Sequence, residues 1–192
     1  MRMEYDPKSH RRRSIRLQGY DYSMAGAYFV TICAYRRECF FGEIVDGEMW
    51  LSDAGRTARP IWEQLPDHYP YIRLDAFVIM PNHVHGIVIL NDATDMVGAG
   101  LKPAPTTSQT SLKPAPTGGR KRHSLPEIIR AFKTFSSRRI NESREMIGVP
   151  VWQRNYYEHV IRNDRALNAI RNYIEANPLQ WANDPENPQS NR

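Results

Sequence analysis

Hydrophobic positions recur at two periods along this chain, and the switches between them predict its elements. The segment AYFVTICAYR (27–36) is dense in β-branched and aromatic residues and predicts a first strand. CFFGEIVDGEMWLS carries apolar pieces on either side of Asp46-Gly47, a strong hairpin signal. Ser52 or Asp53 caps a helix reaching about Leu65, and Pro60 inside it predicts a kink or a late start. Residues 72–80 read as a second core strand and 83–90 as a third, with Pro81-Asn82 at the turn between them. A Ser124…Glu127 capping box opens SLPEIIRAFKTFSSRRI. There Leu125, Ile128, Ile129, Phe132 and Phe135 fall at helical spacing for the core, with Arg130, Lys133, Arg138 and Arg139 on a basic, solvent-facing side. VPVWQRNYYEHVIRN is extended and then turns. DRALNAIRNYIEANP is a last helix, capped by Asn163 or Asp164 and ending near Asn177, because Pro178 disfavours helical backbone before it. This order predicts an α+β, ferredoxin-like antiparallel sheet with helices on one face.

Residues 91–123 break the pattern. LKPAPT occurs at 101 and again at 112 in a Gly-, Pro-, Thr- and Ser-rich tract. Two copies do not make a repeat architecture, and the composition is that of a surface insertion without a core of its own. The expected organisation is a basic N-terminal arm (1–19), one domain (20–182) interrupted by the 91–123 insertion, and a polar tail (183–192).

Composition narrows the class. Of 192 residues 41% are hydrophobic, enough for a packed core. No apolar run reaches the roughly 18 to 20 residues that span a bilayer, and MRMEYDPKSHRRRSIR has no apolar segment of a secretory signal. The expected location is cytoplasmic, with no membrane partner and with Cys33 and Cys39 as reduced thiols. The net charge is +5 and unevenly spread: residues 1–16 hold six Lys or Arg against two acids, and 120–139 hold seven against one. Two basic blocks on a balanced chain point to a polyanion, most often nucleic acid.

The chemistry concentrates in PNHVHGIV. Alternate residues of a strand face the same way, so His83 and His85 point together. Paired neutral imidazoles hold a divalent metal or, equally in keeping with the pattern, are two hydrogen-bonded histidines lining a sheet. A metal needs a further donor. On the last helix Tyr173 and Asn177 are four apart and share a face, which allows an amide oxygen and a phenol close to the pair. Tyr156 and Tyr157 are rival nucleophiles, but neither has a donor four residues on: positions 160 and 161 are Val and Ile.

The ordered set His-x-His, VWQRNYYEHVIRN and IRNYIEANPLQW resembles the motifs of HUH-type single-tyrosine transposases, in their REP-associated tyrosine transposase branch. The resemblance covers roughly 20–90 and 124–182. It implies an HUH nuclease fold and an enzyme: a metal-dependent single-stranded DNA endonuclease and strand transferase acting beside hairpins. Tyr173 is implied as nucleophile, forming a 5′-phosphotyrosine, and His83, His85 and Asn177 as ligands of Mg²⁺ or Mn²⁺, although these donors would also accept Zn²⁺. The metal would polarise and orient the scissile phosphate. A phenol is a better leaving group than an aliphatic hydroxyl, so the free 3′-OH can reseal the strand without ATP. His159 and Glu158 are implied in support of this site. Arg11, Arg12, Arg13, Arg16, Arg130, Lys133, Arg138 and Arg139 would contact phosphates, and Trp152 either stacks on bases or belongs to the core. The implied partner is single-stranded or hairpin DNA, met by a monomer or a homodimer. The alternative is a domesticated nucleic-acid-binding protein of the same fold. An unrelated His-x-His hydrolase leaves Tyr-x-x-x-Asn and the basic helix unexplained.

Overall fold

A computed structural model describes residues 17, 19–91 and 122–190. The order is β1 (Gly26–Cys33), β2 (Gly42–Val45), β3 (Glu48–Leu51), α1 (Asp53–Glu63), α2 (Leu65–His68), β4 (Ile72–Ile79), β5 (His83–Leu90), α3 (Leu125–Ser143), β6 (Tyr157–Ile161) and α4 (Asp164–Ala176). A 3-10 segment, Pro178–Asn183, follows α4. Four strands form an antiparallel sheet in the order β4-β5-β1-β6, and β2-β3 pair separately. This is the ferredoxin-like order that the sequence predicts. The hairpin turn falls at Asp46-Gly47, with φ of 52° and 80°. Two successive positive φ values are what a turn matching strand twist needs, and glycine tolerates them without a Cβ clash.

Helix starts follow their side chains. The Ser52 hydroxyl accepts from the Gly55 N–H at 3.3 Å, and the Ser124/Glu127 capping box is formed. Asn163 caps α4 by accepting from the Ala166 N–H at 2.9 Å. The late start expected from Pro60 is corrected: α1 starts at Asp53 and continues past it. Pro60 lies in the last turn, so the helix ends a few residues beyond it.

Alternation along the central strands divides the interior in two. Tyr28, Val30 and Ile32 of β1 and Val84 and Val88 of β5 pack with Trp62 of α1 and with Ile128, Ile129 and Phe132 of α3. Gly86 sits directly under the Trp62 ring: a Cβ there would lie 2.4 Å from Trp62 Cζ2. The opposite face carries Phe29, Ile87 and Ile161 beneath Ile174, Leu167 and Ile170 of α4. Helices therefore lie on one face only as far as α1 and α3 are concerned, and α4 covers the other. Phe135 is also corrected. It is 58% exposed, and Ser136 takes the inward position, bonding Phe132 O at 2.6 Å and accepting from the Trp152 indole N–H at 2.9 Å. A bulky residue at 136 would collide with that indole. Trp152 is thereby a core residue, 6% exposed.

Candidate active site

Residues 83–85 open β5, where the strand leaves the Pro81-Asn82 turn, and both imidazoles face α4. Each is fixed by a partner on its far nitrogen. His83 Nδ1 lies 2.8 Å from Asn82 Oδ1, and His85 Nδ1 lies 2.9 Å from the hydroxyl of Thr31, its register partner on β1. Asn82 has no freedom to turn, because its Nδ2 donates to the carbonyls of Glu186 and Arg37. The Nδ1 of His83 is therefore the protonated nitrogen, and its Nε2 lone pair looks inward. The two Nε2 atoms are 2.9 Å apart. Burial drives both imidazoles towards the neutral form, His83 down to about 4 and His85 well below its ordinary value. Neutral imidazole is the form that ligates metals.

From above, α4 supplies Tyr173 and Asn177 on one face, one turn apart. The Tyr173 hydroxyl is 3.2 Å from His85 Nε2, and its ring lies 5.2 Å from the His85 ring at a 60° tilt. Tyr173 is 40% exposed, so one side of the phenol opens to solvent. Its pKa is pushed up, first by burial and then by the Asp184 carboxylate. Asn177 is almost fully buried, and its Oδ1 has no hydrogen-bond partner.

The chain then folds back over this centre. Residues 183–190, read from sequence as a polar tail, pack against it instead: Asp184 is 4% exposed and Asn187 6%. Asn177 Nδ2 donates to Asp184 Oδ2 at 2.9 Å, and the Trp181 ring lies 6.1 Å from that of His83. His83, His85 and Asp184 each present a ligand atom, all within 4.8 Å of one another. The donor set suits a divalent cation: two facing imidazole lone pairs, a carboxylate, and the orphaned amide oxygen of Asn177. Asp184 is the residue that sequence reasoning missed. It lies outside the regular helical face that links Tyr173 to Asn177, and only the reversal after Pro178 carries it back.

Other expected site residues are distributed differently. Glu158 and His159 are consecutive on β6 and so point to opposite faces; their register partners are Val30 and Phe29. Glu158 is buried on the α1/α3 side, across the sheet from the histidines, and His159 is exposed on the α4 side. Lys133 faces inward rather than to solvent: its Nζ donates to the carbonyls of Gln153 at 2.5 Å and Arg154 at 3.0 Å, and burial lowers its pKa to about 8. Arg130, Arg138 and Arg139 are exposed on α3, across the sheet from the histidines, and Arg138 pairs with Glu142 at 2.8 Å. Arg11, Arg12, Arg13 and Arg16, like the LKPAPT insertion, lie outside the described residues.

No protein-family model matches the chain. A REP-associated tyrosine transposase solved bound to a REP hairpin superposes with a TM-score of 0.54 at 17% identity, over 86% of this chain and 73% of that one. That likeness shows the class of fold: an antiparallel four-stranded sheet packed with helices. An uncharacterized Haemophilus influenzae protein is 38% identical over 191 residues, 96% of this chain and 97% of that protein. A second protein of the same organism, named "Putative REP-associated tyrosine transposase", is 26% identical over 83% of this chain and 74% of its own length. The chain thus shares the fold of a REP-associated tyrosine transposase and is similar in sequence to a protein that carries that name. Among the described residues, no helix is long and apolar enough to cross a membrane.

Proposed function

We propose that this chain is a metal-dependent single-stranded DNA endonuclease and strand transferase that cuts hairpin-associated DNA through a 5′-phosphotyrosine on Tyr173. The observation that carries the reading is the Tyr173 hydroxyl 3.2 Å from His85 Nε2, at the mouth of a buried His83–His85–Asp184 group with the unpartnered oxygen of Asn177 beside it. Those four side chains would hold the cation, Mg²⁺ or Mn²⁺. Bound there, it would supply Lewis-acid polarisation of the scissile phosphate and offset the Asp184 charge that weakens the phenol as an acid.

The chain's own groups account for the remainder. Asn82 fixes the His83 tautomer with Nε2 unprotonated, and Thr31 holds the His85 ring in its orientation, so the inward nitrogens are positioned without reorganisation. The Tyr173 oxygen attacks phosphorus in line, forming the P–O(Tyr) bond as the P–O3′ bond breaks. The phenolic proton leaves through the open side of the cleft, and the departing 3′ oxygen takes one up. Attack of a 3′-OH on the phosphotyrosine reverses the bookkeeping and joins strands with no external energy source. Tyr157 is 51% exposed at the strand edge and Tyr156 is buried, and it is the Tyr173 hydroxyl that meets the histidines.

The test is a denaturing-gel assay of labelled single-stranded hairpin DNA with Mn²⁺, for the wild type and Tyr173→Phe. A covalent protein–DNA band in the wild type that disappears in the variant is the expected result. A band that survives in Tyr173→Phe overturns the assignment of the nucleophile. Tight binding with no band across a broad set of hairpins would make the chain a DNA-binding protein of this fold.

A further inference from the structure

The geometry points to a base-stacking subsite on Tyr157, which takes the unpaired nucleobase next to the phosphate presented to Tyr173; this rests on the single-strand cleavage reading above. A cleft of about 380 Å³ runs from Tyr173 and His85 past Phe29 and Thr31 to Tyr157, with Gln153 and Asn155 on its rim. Tyr157 opens β6, the edge strand, and pairs with Thr31, so its ring stands on the same face as Phe29 and His85. It is half exposed, so part of its ring surface is open to a ligand.

Phe29 acts as a hub. Its ring lies 5.3 Å from His85 in a stacked arrangement, 6.1 Å from Tyr173 and 6.3 Å from Tyr157, the last two edge-on. Edge-on contact with Phe29 steadies Tyr157 while leaving ring surface for a ligand. The nucleophile and the exposed tyrosine thus share one phenylalanine, so a phosphate at the first and an adjacent base at the second are reached by one strand. The rim is held from behind. Lys133 binds the carbonyls of Gln153 and Arg154, and the Gln153 N–H donates to Cys33 O at 2.9 Å. The side-chain amides of Gln153 and Asn155 consequently stand on fixed backbone beside the base position. The stacking role that sequence offered to Trp152 falls to Tyr157, since Trp152 is buried with its indole N–H on Ser136.

The ligand class is a single-stranded nucleotide flanking the cut, bound through its π face and so tolerant of base identity. The experiment measures binding of the full chain to a fluorescent hairpin with single-stranded flanks, in which one abasic residue is stepped along the flank. Wild type, Tyr157→Ala, Tyr157→Trp and Tyr173→Phe are compared. Tyr157→Ala should weaken binding roughly 10- to 100-fold, the range of one base–aromatic stack, while Tyr157→Trp retains it. At one flank position the abasic residue should weaken the wild type by the same factor and leave Tyr157→Ala no weaker. Unchanged binding by Tyr157→Ala, or losses that add at every position, would overturn the subsite. Tyr173→Phe separates the two claims: it should form no covalent adduct while the coupling between Tyr157 and the abasic position persists. An adduct-free wild type that still shows the Tyr157–abasic coupling would sink the cleavage reading and keep the stacking one.

Discussion

The helix that carries Tyr173 is pinned two residues earlier, and the pin gives a sharp prediction. Arg171 reaches across to Asp75 in a two-pronged ion pair, Nε to Oδ1 and Nη2 to Oδ2, both 2.7 Å. Asp75 sits where the β4–β5 register slips between Leu74 and Phe77, a bulge that turns its carboxylate towards α4. Its side chain is 9% exposed and that of Arg171 35%. Arg171→Met keeps the aliphatic stem and removes both charge-assisted bonds. The carboxylate would retain the Ala76 N–H at 2.9 Å and a distant Arg73 at 3.7 Å. A hydrogen bond to a charged group contributes about 1.5 to 3 kcal/mol, and leaving the mostly buried Asp75 carboxylate without its cation costs about 2 kcal/mol. That corresponds to a midpoint lower by about 4 to 8 °C in a domain of this size. The pH arm fixes the mechanism. Arg171, helped by the Ala76 N–H, lowers the Asp75 carboxyl from 3.8 to about 2. A depressed folded-state value stabilises fully above 3.8 and fades as pH falls towards about 2. Urea titrations followed by tryptophan fluorescence at pH 7 and down that window should show a gap between the two proteins that narrows only there. A gap below about 0.5 kcal/mol at pH 7, or one independent of acid pH, would refute the reasoning.

Further outcomes are expected elsewhere. Gly86→Ala drives a Cβ to 2.4 Å from Trp62 Cζ2, and Trp62 is itself locked by Phe77 stacked at 5.0 Å and Phe132 edge-on at 5.2 Å. Overpacking of this kind costs about 1 to 3 kcal/mol, read as a lower urea midpoint; an unchanged midpoint would mean the ring yields freely. Asp184→Asn and His83→Ala should each weaken Mn²⁺ binding at least tenfold by calorimetry, and full affinity in either would remove that residue from the ligand set. Deleting 95–118 should leave folding and cleavage intact. Asn91 N–H bonds Tyr71 O at 2.8 Å, and Arg122, lying 5.1 Å over the Tyr71 ring, bonds Asn91 O, so the two ends already meet. An insoluble or inactive deletion protein would contradict this.

How far the sequence reaches depends on how local the cause is. The strands at 72–79 and 83–90, the Asp46-Gly47 turn and the helix caps follow from neighbours within a few residues, and they were legible. So was the pairing of His83 with His85, since strand alternation alone sets it. The side of the sheet that α4 covers was not, because apolar spacing on a helix says which face is buried but not against what. Lys133 and Trp152 show the same limit: a lysine among arginines on a basic stripe turns inward only because the 153–155 carbonyls lie within its reach. Asp184 needed the chain reversal after α4, a long-range event with no periodic signature. Thr31 was recoverable in principle, since antiparallel pairing of β1 with β5 places it opposite His85.

The most direct measurement of the central claim is to locate the covalent bond. The wild-type adduct formed on hairpin DNA with Mn²⁺ would be trimmed by nuclease, digested with trypsin and analysed by tandem mass spectrometry. A phosphonucleotide on the peptide containing Tyr173 is the predicted result. The same modification on Tyr156 or Tyr157 would contradict the account and move the nucleophile to β6 and its approach.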